Sequence, residues 1–244
     1  MPKCVLKRFE DQNHRLFYYD VKKCIIGSNG HAGSLNTGFG FYSHNAEEFL
    51  NTNIEKPFSN LFENIDEIGI NPPKGHINSQ FDYTAKRFVY ALLARNPNSV
   101  DRIKKYPFLT DILSSQQSRD AGMILGFAAE IDRDFLAPYG TTIAINTTEI
   151  PFVLPTCGVY YMKLWGSEHI FLPVSPQKAI IFVEEKRKDV IIHDGIVHPY
   201  SFDDIHEVRM CNMGALSTQC RYANGYVVSP SKEPLEHALR GSNQ

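Results

Sequence analysis

Strand-forming residues dominate one long stretch of this chain, from Thr141 to Glu184. β-Branched and aromatic residues fill it in four runs separated by Gly, Pro and Thr clusters: Thr141–Thr148, Ile150–Leu164, His169–Pro176 and Ala179–Glu185. Such runs are typical of consecutive strands in a largely buried sheet. We therefore expect this stretch to form the main sheet of the fold, with mainly antiparallel pairing.

The N-terminal region carries two shorter strand-like runs, Cys4–Phe9 and Arg15–Val21. The polar cluster Glu10–Asn13 between them is typical of a turn, so the two runs are expected to form a hairpin. Lys22–Ile26 is expected to add a third strand. Closely spaced Gly, Ser and Asn residues from Gly27 to Gly40 indicate an exposed loop.

The segment between these strand regions has helical periodicity. Asn45 with Glu48 three residues later resembles a capping box that opens a helix. Pro57 is expected to break or kink that helix, because proline removes a backbone N–H and crowds the preceding turn. Further helices are expected within Phe81–Pro97, Val100–Leu113 and Arg119–Phe135, and the predicted buried side of the last comprises Ile124, Leu125, Ala128, Ile131 and Phe135.

The order of these segments favours an α+β fold over a regular alternation of strands and helices. After the sheet region, Ser201 is expected to cap a helix through Leu216, followed by a strand at Tyr222–Val228 and a late helix at Glu233–Leu239. The 244 residues are expected to form a single α+β domain with an N-terminal β-hairpin (1–26), a central helical layer (45–136) and a C-terminal sheet part (141–230).

Composition restricts the function classes. The net charge of −2 provides no global basic field for nucleic acid, although a local basic groove stays open. The five cysteines are scattered without a C-x-x-C pair, which favours a reducing compartment over a disulfide framework. The N-terminus lacks an apolar signal region and no run is long enough for a membrane span. We expect a cytoplasmic protein without membrane contact.

A series of short motifs resembles, in order, the bacterial domain-of-unknown-function family 4238. The motifs are Pro2–Phe9, Leu16–Asp20, Phe41–Ser43, Ile54-Glu55, Phe81–Pro97, Phe152–Val159, Leu172–Pro176, and Asn212 with Arg221-Tyr222. The chain departs from the family pattern in two places. Family members carry His upstream of the opening Pro, and Thr156 stands where the family has an Asp.

The resemblance implies a role in bacterial anti-phage defence, because members of this family occur in defence loci. An effector would have nucleic acid as its substrate, whereas a sensor would bind a partner such as a phage protein. The resemblance assigns no reaction, and the cofactor is unknown. If the upstream His or the missing Asp did chemistry in the family, this chain has lost that group.

The candidate catalytic residues are Arg8, His14 and Glu55. Arg8 and His14 have an R-x₅-H spacing, in which Arg would hold a phosphate and His would transfer a proton. A turn near Asp11–Asn13 would bring Arg8 towards His14, and Glu55 is the carboxylate expected nearby. Candidate contacts for nucleic acid or a partner are Lys7, Asp20, Arg95, Asn212 and Arg221.

Each of these residues also has a structural interpretation. A carboxylate such as Glu55 on an apolar helical face needs a basic partner, and a structural pair with Arg95 or Arg119 is commoner than a catalytic acid. Cys157 is either a nucleophile or a small buried thiol. The ligand-type side chains His193, Asp194, His198, Asp203, Asp204 and His206 match no established metal-site spacing, so no metal site is assigned.

Three function classes remain open. The first is a defence effector that cleaves or modifies nucleic acid with Arg8, His14 and Glu55. The second is a non-catalytic sensor or partner-binding protein of a defence system. The third is a small-molecule hydrolase built on Cys157 or Ser175. The resemblance to a defence family favours the first.

Overall fold

Two sheets form the centre of the fold in the computed structural model, which describes residues 1–35, 42–69, 77–95, 113–193, 196–222 and 224–242. The described helices are α1 (Lys3–Lys7), α2 (Ala32–Leu35), α3 (His44–Leu50), α4 (Lys56–Ser59), α5 (Leu61–Glu67), α6 (Ser79–Ala94), α7 (Ser115–Arg133), α8 (Ile205–Arg221) and α9 (Glu233–Ser242), with a π-helical turn at Asn51–Glu55 and a 3₁₀ segment at Glu185–Val190. The described strands are β1 (Leu16–Asp20), β2 (Ile25–Gly30), β3 (Tyr139–Asn146), β4 (Leu154–Pro155), β5 (Tyr160–Leu164), β6 (Ser167–Ser175), β7 (Lys178–Glu184), β8 (Ile192–His193), β9 (Ile196–Val197), β10 (Tyr200–Phe202) and β11 (Tyr226–Ser229).

The predicted main sheet is confirmed. Its five strands have the order β10-β3-β7-β6-β5, and every pair is antiparallel except β10 with β3. The register places Ile143 opposite Ile180 and Ile170 opposite Phe182. One part of the prediction is wrong: β4, from the predicted run Ile150–Leu164, pairs with β11 in the second sheet, which has the order β2-β1-β11-β4. The α+β class and the late helix α9 are therefore both present.

Both faces of the strands β3, β6 and β7 are buried, which explains why these strands are almost continuously apolar. The edge strand β5 instead exposes Tyr161 and Lys163. Ile180 and Phe182 of β7 pack in the cluster formed with the helices of the central layer. Ile181 and Val183 alternate to the opposite face and pack in the cluster that contains residues of α8 and α9. The predicted helical cover of the sheet is thus confirmed on one face. On the other face α8 packs against β5 and β10, and α9 packs against α8 and β11.

The predicted hairpin of Cys4–Phe9 with Arg15–Val21 is wrong. Residues Lys3–Lys7 form helix α1, and the N-terminal hairpin joins β1 to β2 instead. A strand would send the adjacent residues Val5 and Leu6 to opposite faces, but both are fully buried together with Phe9. One helical turn buries all three on one side. Part of the predicted Gly27–Gly40 loop belongs to β2 and α2, and residues 36–41 lie outside the described residues.

The helix expected from Asn45 begins two residues earlier. Ser43 is the N-cap, since its hydroxyl accepts a hydrogen bond from the Ala46 amide. The predicted disruption at Pro57 takes the form of a π-helical turn, in which the Lys56 amide donates to the Asn51 carbonyl. The wider turn leaves space for the ring of Pro57, and the absent N–H of Pro57 makes no hydrogen bond there. The predicted helix end at residues 71–75 and the pieces within 100–112 lie outside the described residues.

The predicted helix at Arg119–Phe135 exists as α7, but its predicted buried face is wrong. Gly122, Met123, Gly126 and Phe127 are buried, whereas Ile124, Leu125, Ala128 and Ile131 are exposed. Helix α7 packs against α6, and the Arg87 guanidinium lies 5.7 Å from the Phe127 ring centre. Apolar residues occupy two sides of α7, so periodicity alone could not select between them. The glycine-containing side allows the closer approach of the helix backbones.

The predicted start of the C-terminal helix also shifts. Ser201 lies in β10, and Asp204 caps α8 by accepting a hydrogen bond from the His206 amide. The predicted last strand is β11, which begins later than expected, at Tyr226. The strand β11 pairs with β1, with Tyr19 opposite Val227. This pairing brings the N-terminal and C-terminal parts of the chain into one sheet.

Candidate functional site

Arg8 and Ser175, two of the candidate residues from the sequence, line the same open cleft of ≈ 780 Å³. It lies where the end of α5 meets the turn between β6 and β7 and the segment after α1. The lining residues are Arg8, Glu10, Asp11, Gln12, Asp66, Ser175, Pro176, Gln177, Lys178 and Pro230. The candidates His14 and Glu55 are not part of this lining.

Arg8 is held in the cleft by contacts from two elements. Its Nε donates to the Val174 carbonyl at 2.8 Å, and its two Nη atoms donate to the Asp66 carboxylate at 3.0 and 2.5 Å. The guanidinium also lies over the Phe62 ring, 4.5 Å from the ring centre. This planar, bidentate arrangement fixes α1 against β6 and α5. The carboxylate that contacts Arg8 is therefore that of Asp66, whereas Glu55 was expected there.

Lys178 joins β7 to the end of α5. Its ammonium donates to the carbonyls of Ile65, Asp66 and Ile68 at 2.6, 2.8 and 2.9 Å. These bonds use all the donors of an ammonium and satisfy carbonyls that a helix end leaves unpaired. The pKa of Lys178 is lowered from its ordinary value, mainly by burial, and the charge of Asp66 opposes this shift only in part. The negative end of the helix dipole favours the charged ammonium.

The charges of the cleft do not favour phosphate. Three carboxylates, those of Glu10, Asp11 and Asp66, line it together with the two cations Arg8 and Lys178. Backbone N–H groups of Arg15 and Asn13 bond to the Asp11 carboxylate, and the bond from Arg15 is the main reason that the pKa of Asp11 is lowered. Asp11 therefore stays ionised, and both cations are already bonded to protein groups.

His14 lies on an exposed turn beside the cleft. Its side chain is 88% exposed, and its Nδ1 is 3.6 Å from the carboxylate of Glu10, which lines the cleft. Its backbone has a φ of 57°, in the left-handed region. The His14 carbonyl contacts Nδ1 of His31 at 2.9 Å. The imidazole of His14 is thus accessible to a ligand from solvent.

Glu55 forms the structural pair that its sequence position indicated. Its carboxylate is 2.6 Å from the Arg95 guanidinium, which also lies 3.4 Å from Glu47. The side chains of Glu55 and Arg95 are 19% and 17% exposed. Burial raises the pKa of Glu47, and the charge of Arg95 opposes that shift. Arg95 therefore ties the end of α6 to the π-helical turn and to α3.

The remaining predicted contact residues have different surroundings. Lys7 and Arg221 are exposed. Asp20 is buried, and its carboxylate accepts a hydrogen bond from the Lys23 amide at 3.0 Å. Asn212 is buried on α8, where it accepts from the Val153 amide at 2.9 Å and donates to the Pro151 carbonyl at 3.0 Å. Asp20 thus stabilises the turn after β1, and Asn212 ties α8 to the segment before β4, while Lys7 and Arg221 are exposed to solvent.

The nucleophiles considered for a hydrolase are bonded to backbone groups. The Cys157 sulfur contacts the Val159 carbonyl at 3.6 Å, and burial raises the pKa of this thiol to about 12. The Ser175 hydroxyl accepts a hydrogen bond from the Lys178 amide at 3.0 Å and so closes the turn between β6 and β7. Within the described residues, neither the Cys157 thiol nor the Ser175 hydroxyl is hydrogen bonded to a basic side chain that would activate it.

Thr156, which stands where the resembled family has an Asp, has a structural role. Its hydroxyl bonds to the Gln219 side chain at 3.3 Å and accepts from the Tyr226 amide at 2.9 Å. Gln219 also accepts a hydrogen bond from the Cys157 amide at 2.8 Å. These bonds tie the Thr156-Cys157 turn to α8 and β11.

Asp66 and Lys178 were missed by the sequence interpretation. Asp66 lies on the polar side of an amphipathic helix, and Lys178 lies at the start of an apolar strand run. The charge of Lys178 at the start of the apolar run of β7 was the sequence signal that could have marked it. The partners of both residues are distant in sequence, so the signal did not identify them.

No cluster of three or more His, Cys, Asp or Glu side chains suited to a metal ion occurs within the part of the chain that the structure describes. The predicted ligand-type residue Asp194 lies outside that part, and Asp204 serves as the cap of α8. Among the same described residues, no helix is sufficiently long and apolar to cross a membrane.

No protein family, no functionally characterised protein and no solved structure matches this chain. The resemblance to the domain-of-unknown-function family 4238 therefore stays a prediction.

Proposed function

We propose that this chain is a non-catalytic, partner-binding protein of a bacterial anti-phage defence system and that the Arg8 cleft binds a segment of a phage polypeptide. The observation that supports a binding role is the state of the charged groups in the cleft. Arg8 and Lys178 are bonded to Asp66, Val174 and the end of α5, so both cations hold protein elements together, and the Lys178 ammonium has no donor left for a substrate.

A polypeptide fits this cleft better than a nucleic acid does. Proteins that bind nucleic acid neutralise phosphates with Lys and Arg side chains. Here the carboxylates of Glu10, Asp11 and Asp66 outnumber the cations, and they would repel a phosphate backbone. A peptide backbone instead needs mixed donors and acceptors. The exposed amides of Gln12 and Gln177 supply both.

Arg8 also retains N–H donors that could bond to a peptide partner. A guanidinium carries more N–H donors than the three bonds to Val174 and Asp66 use. The remaining donors belong to a side chain that is 20% exposed and held rigidly. A rigid donor loses little conformational entropy when it bonds to a carbonyl or carboxylate of the partner.

The test is a phage challenge of bacteria that express the chain. The substitution Gln177→Trp would fill the cleft without removing a contact of Arg8 or Lys178. Lys163→Trp, at an exposed position of β5, is the matched control. We expect protection with the wild type and with the control, and loss of protection with Gln177→Trp at an unchanged melting temperature.

Two results would contradict this proposal. Equal plating of phage with and without the gene would remove the defence role. Full protection by a folded Gln177→Trp variant would remove the cleft from that role while leaving defence intact.

A second candidate function is phosphodiester cleavage with His14 as the proton-transfer group. The observation that favours it is the exposed His14 ring beside Glu10 at the cleft. Purified wild-type protein and His14→Ala would be incubated with RNA and with DNA. Cleavage that depends on His14 supports an effector. No cleavage by the wild type favours the binding role.

A further inference from the structure

The Arg8 cleft offers more hydrogen-bond acceptors than donors to a bound partner. Lys178 uses all its donors on carbonyls at the end of α5. Arg8 donates to Val174 and Asp66, and its side chain is 20% exposed. The cleft is open and has a volume of ≈ 780 Å³, so a side chain of a partner can enter it. The groups that remain for such a side chain are mainly carboxylate oxygens.

Two of these carboxylates belong to the segment after α1. The Oε1 atom of Glu10 accepts a hydrogen bond from the Ala32 amide at 3.0 Å, and its Oε2 atom lies 3.6 Å from the His14 Nδ1 atom, which is longer than a hydrogen bond. The Oδ1 atom of Asp11 accepts two backbone N–H groups, whereas its Oδ2 atom lies 3.4 Å from the Arg15 guanidinium. One oxygen of each carboxylate therefore retains the capacity to accept a short hydrogen bond.

The third carboxylate is that of Asp66 at the end of α5. Each of its oxygens accepts one N–H group of Arg8, and its side chain is 54% exposed. A carboxylate oxygen has more than one lone pair, so both oxygens can accept a further bond. Glu10, Asp11 and Asp66 together outnumber the cations Arg8 and Lys178, so the lining has a negative net charge. This charge favours a cationic group in the cleft.

We propose that the polypeptide segment bound in the Arg8 cleft presents an arginine side chain, whose guanidinium donates to the carboxylates that line the cleft. This inference rests on the proposed binding function of the cleft and names the side chain that it recognises. An arginine fits better than a lysine, because its planar group has more donors to share among separate carboxylates and is more weakly hydrated. The remaining N–H groups of Arg8 bond to a backbone carbonyl of the same segment.

Other side chains fit the same lining less well. An acidic side chain would be repelled by Glu10, Asp11 and Asp66. An apolar side chain would remove water from these carboxylates without supplying a hydrogen bond, which is costly for a charged group. The positive charge of the partner is therefore the property that the cleft selects.

The test uses the purified full chain, labelled with nitrogen-15, and two synthetic tripeptides. One is acetyl-Gly-Arg-Gly-amide, and the other carries citrulline, which has the shape of arginine without its charge. The side-chain amides of Gln12 and Gln177 line the cleft and report binding in NMR spectra. We expect the arginine peptide to shift these signals with a Kd lower than that of the citrulline peptide by about tenfold or more. Added salt should weaken the binding.

Variants of the chain locate the binding. Glu10→Gln keeps an acceptor for the Ala32 amide and removes one charge, so it should weaken binding of the arginine peptide. Gln177→Trp fills the cleft and should abolish it, as reported by Gln12. Glu168→Gln is the matched control, since it removes an exposed carboxylate at the other end of β6 from Ser175. Thermal melts establish that each variant folds.

Three results would overturn the proposal: no shift of the cleft signals with the arginine peptide, equal binding of the citrulline peptide, or binding that persists in Gln177→Trp. These results do not depend on phage protection. If Gln177→Trp loses protection while the arginine peptide fails to bind, the cleft keeps its binding role and the arginine is wrong. If the arginine peptide binds while phage plate equally with and without the gene, the defence role fails and the arginine specificity stands.

Discussion

The guanidinium of Arg8 donates two hydrogen bonds to the carboxylate of Asp66, at 3.0 and 2.5 Å. The sequence interpretation expected Arg8 to bind a substrate phosphate. In the structure the same bidentate geometry connects α1 to the end of α5. Asp66 is about half exposed, so this pair is partly screened by solvent, while the bond from Arg8 to Val174 is less exposed.

The first prediction is that Arg8 stabilises the fold. Arg8→Ala removes the bonds to Asp66 and Val174 and the contact with Phe62, and it should lower the free energy of unfolding by about 1–3 kcal/mol. Arg8→Lys should recover only part of this, because an ammonium lacks the planar fork. Urea unfolding measures both. The neighbouring exposed Lys7→Ala is the control, and an Arg8→Ala curve that overlays the wild type would contradict the prediction.

The second prediction concerns the pair of Glu55 with Arg95. Arg95→Ala leaves the half-buried carboxylates of Glu55 and Glu47 without their cation, and it should cost about 2–4 kcal/mol. Glu55→Gln keeps a hydrogen-bond acceptor and should cost about 1 kcal/mol. Thermal and urea unfolding report the order, with the exposed Glu48→Gln as the control. If Glu55→Gln removes phage protection at wild-type stability, Glu55 is functional instead.

The third prediction concerns pH and His169. This ring is fully buried; the Glu184 amide donates to its Nδ1, and its Nε2 donates to the Leu164 carbonyl, which fixes the neutral form. Burial is the main cause that lowers its pKa below the ordinary 6.5. The unfolded chain therefore binds a proton at higher pH than the folded chain does. The stability that depends on His169 is complete above pH 6.5 and falls as the pH decreases towards the folded pKa.

Urea unfolding between about pH 5 and pH 8 measures this dependence. His169→Gln should flatten the decrease at the acidic end, whereas the exposed His206→Gln should leave it unchanged. A pH profile that is identical in the wild type and in His169→Gln would show that His169 does not cause the acid sensitivity.

The fourth prediction is that Cys157 reacts slowly. With a pKa of about 12, only about one Cys157 thiol in 10⁴ is ionised at pH 8. Iodoacetamide should therefore label the exposed Cys24 well before Cys157, as followed by mass spectrometry over time. Preferential labelling of Cys157 would instead restore the hydrolase hypothesis, since an activated nucleophile reacts first.

Local patterns were sufficient for the main sheet and for several helices. The β-branched runs that became β3, β6 and β7 are apolar on both faces, and this property is visible without tertiary information. The helix α6 was predicted because its apolar residues recur at helical spacing, which is also a local property. The helix disruption at Pro57 follows from the chemistry of proline itself. The pairing of Glu55 with Arg95 was among the stated alternatives because a carboxylate on an apolar face needs a partner.

Contacts between residues distant in sequence decided two features that local patterns could not: the secondary structure of Lys3–Lys7 and the buried side of α7. Whether Lys3–Lys7 forms a helix or a strand depended on burying Val5, Leu6 and Phe9 together. The buried side of α7 depended on the surface of α6.

Arg8, Asp66 and Lys178 come together only when α1, the end of α5 and β7 have docked. The sequence therefore determined the α+β class and the strand-rich centre, because propensity and periodicity are local properties. The tertiary structure decided the cleft and its charge balance, because ion pairs form between side chains that the chain order keeps far apart.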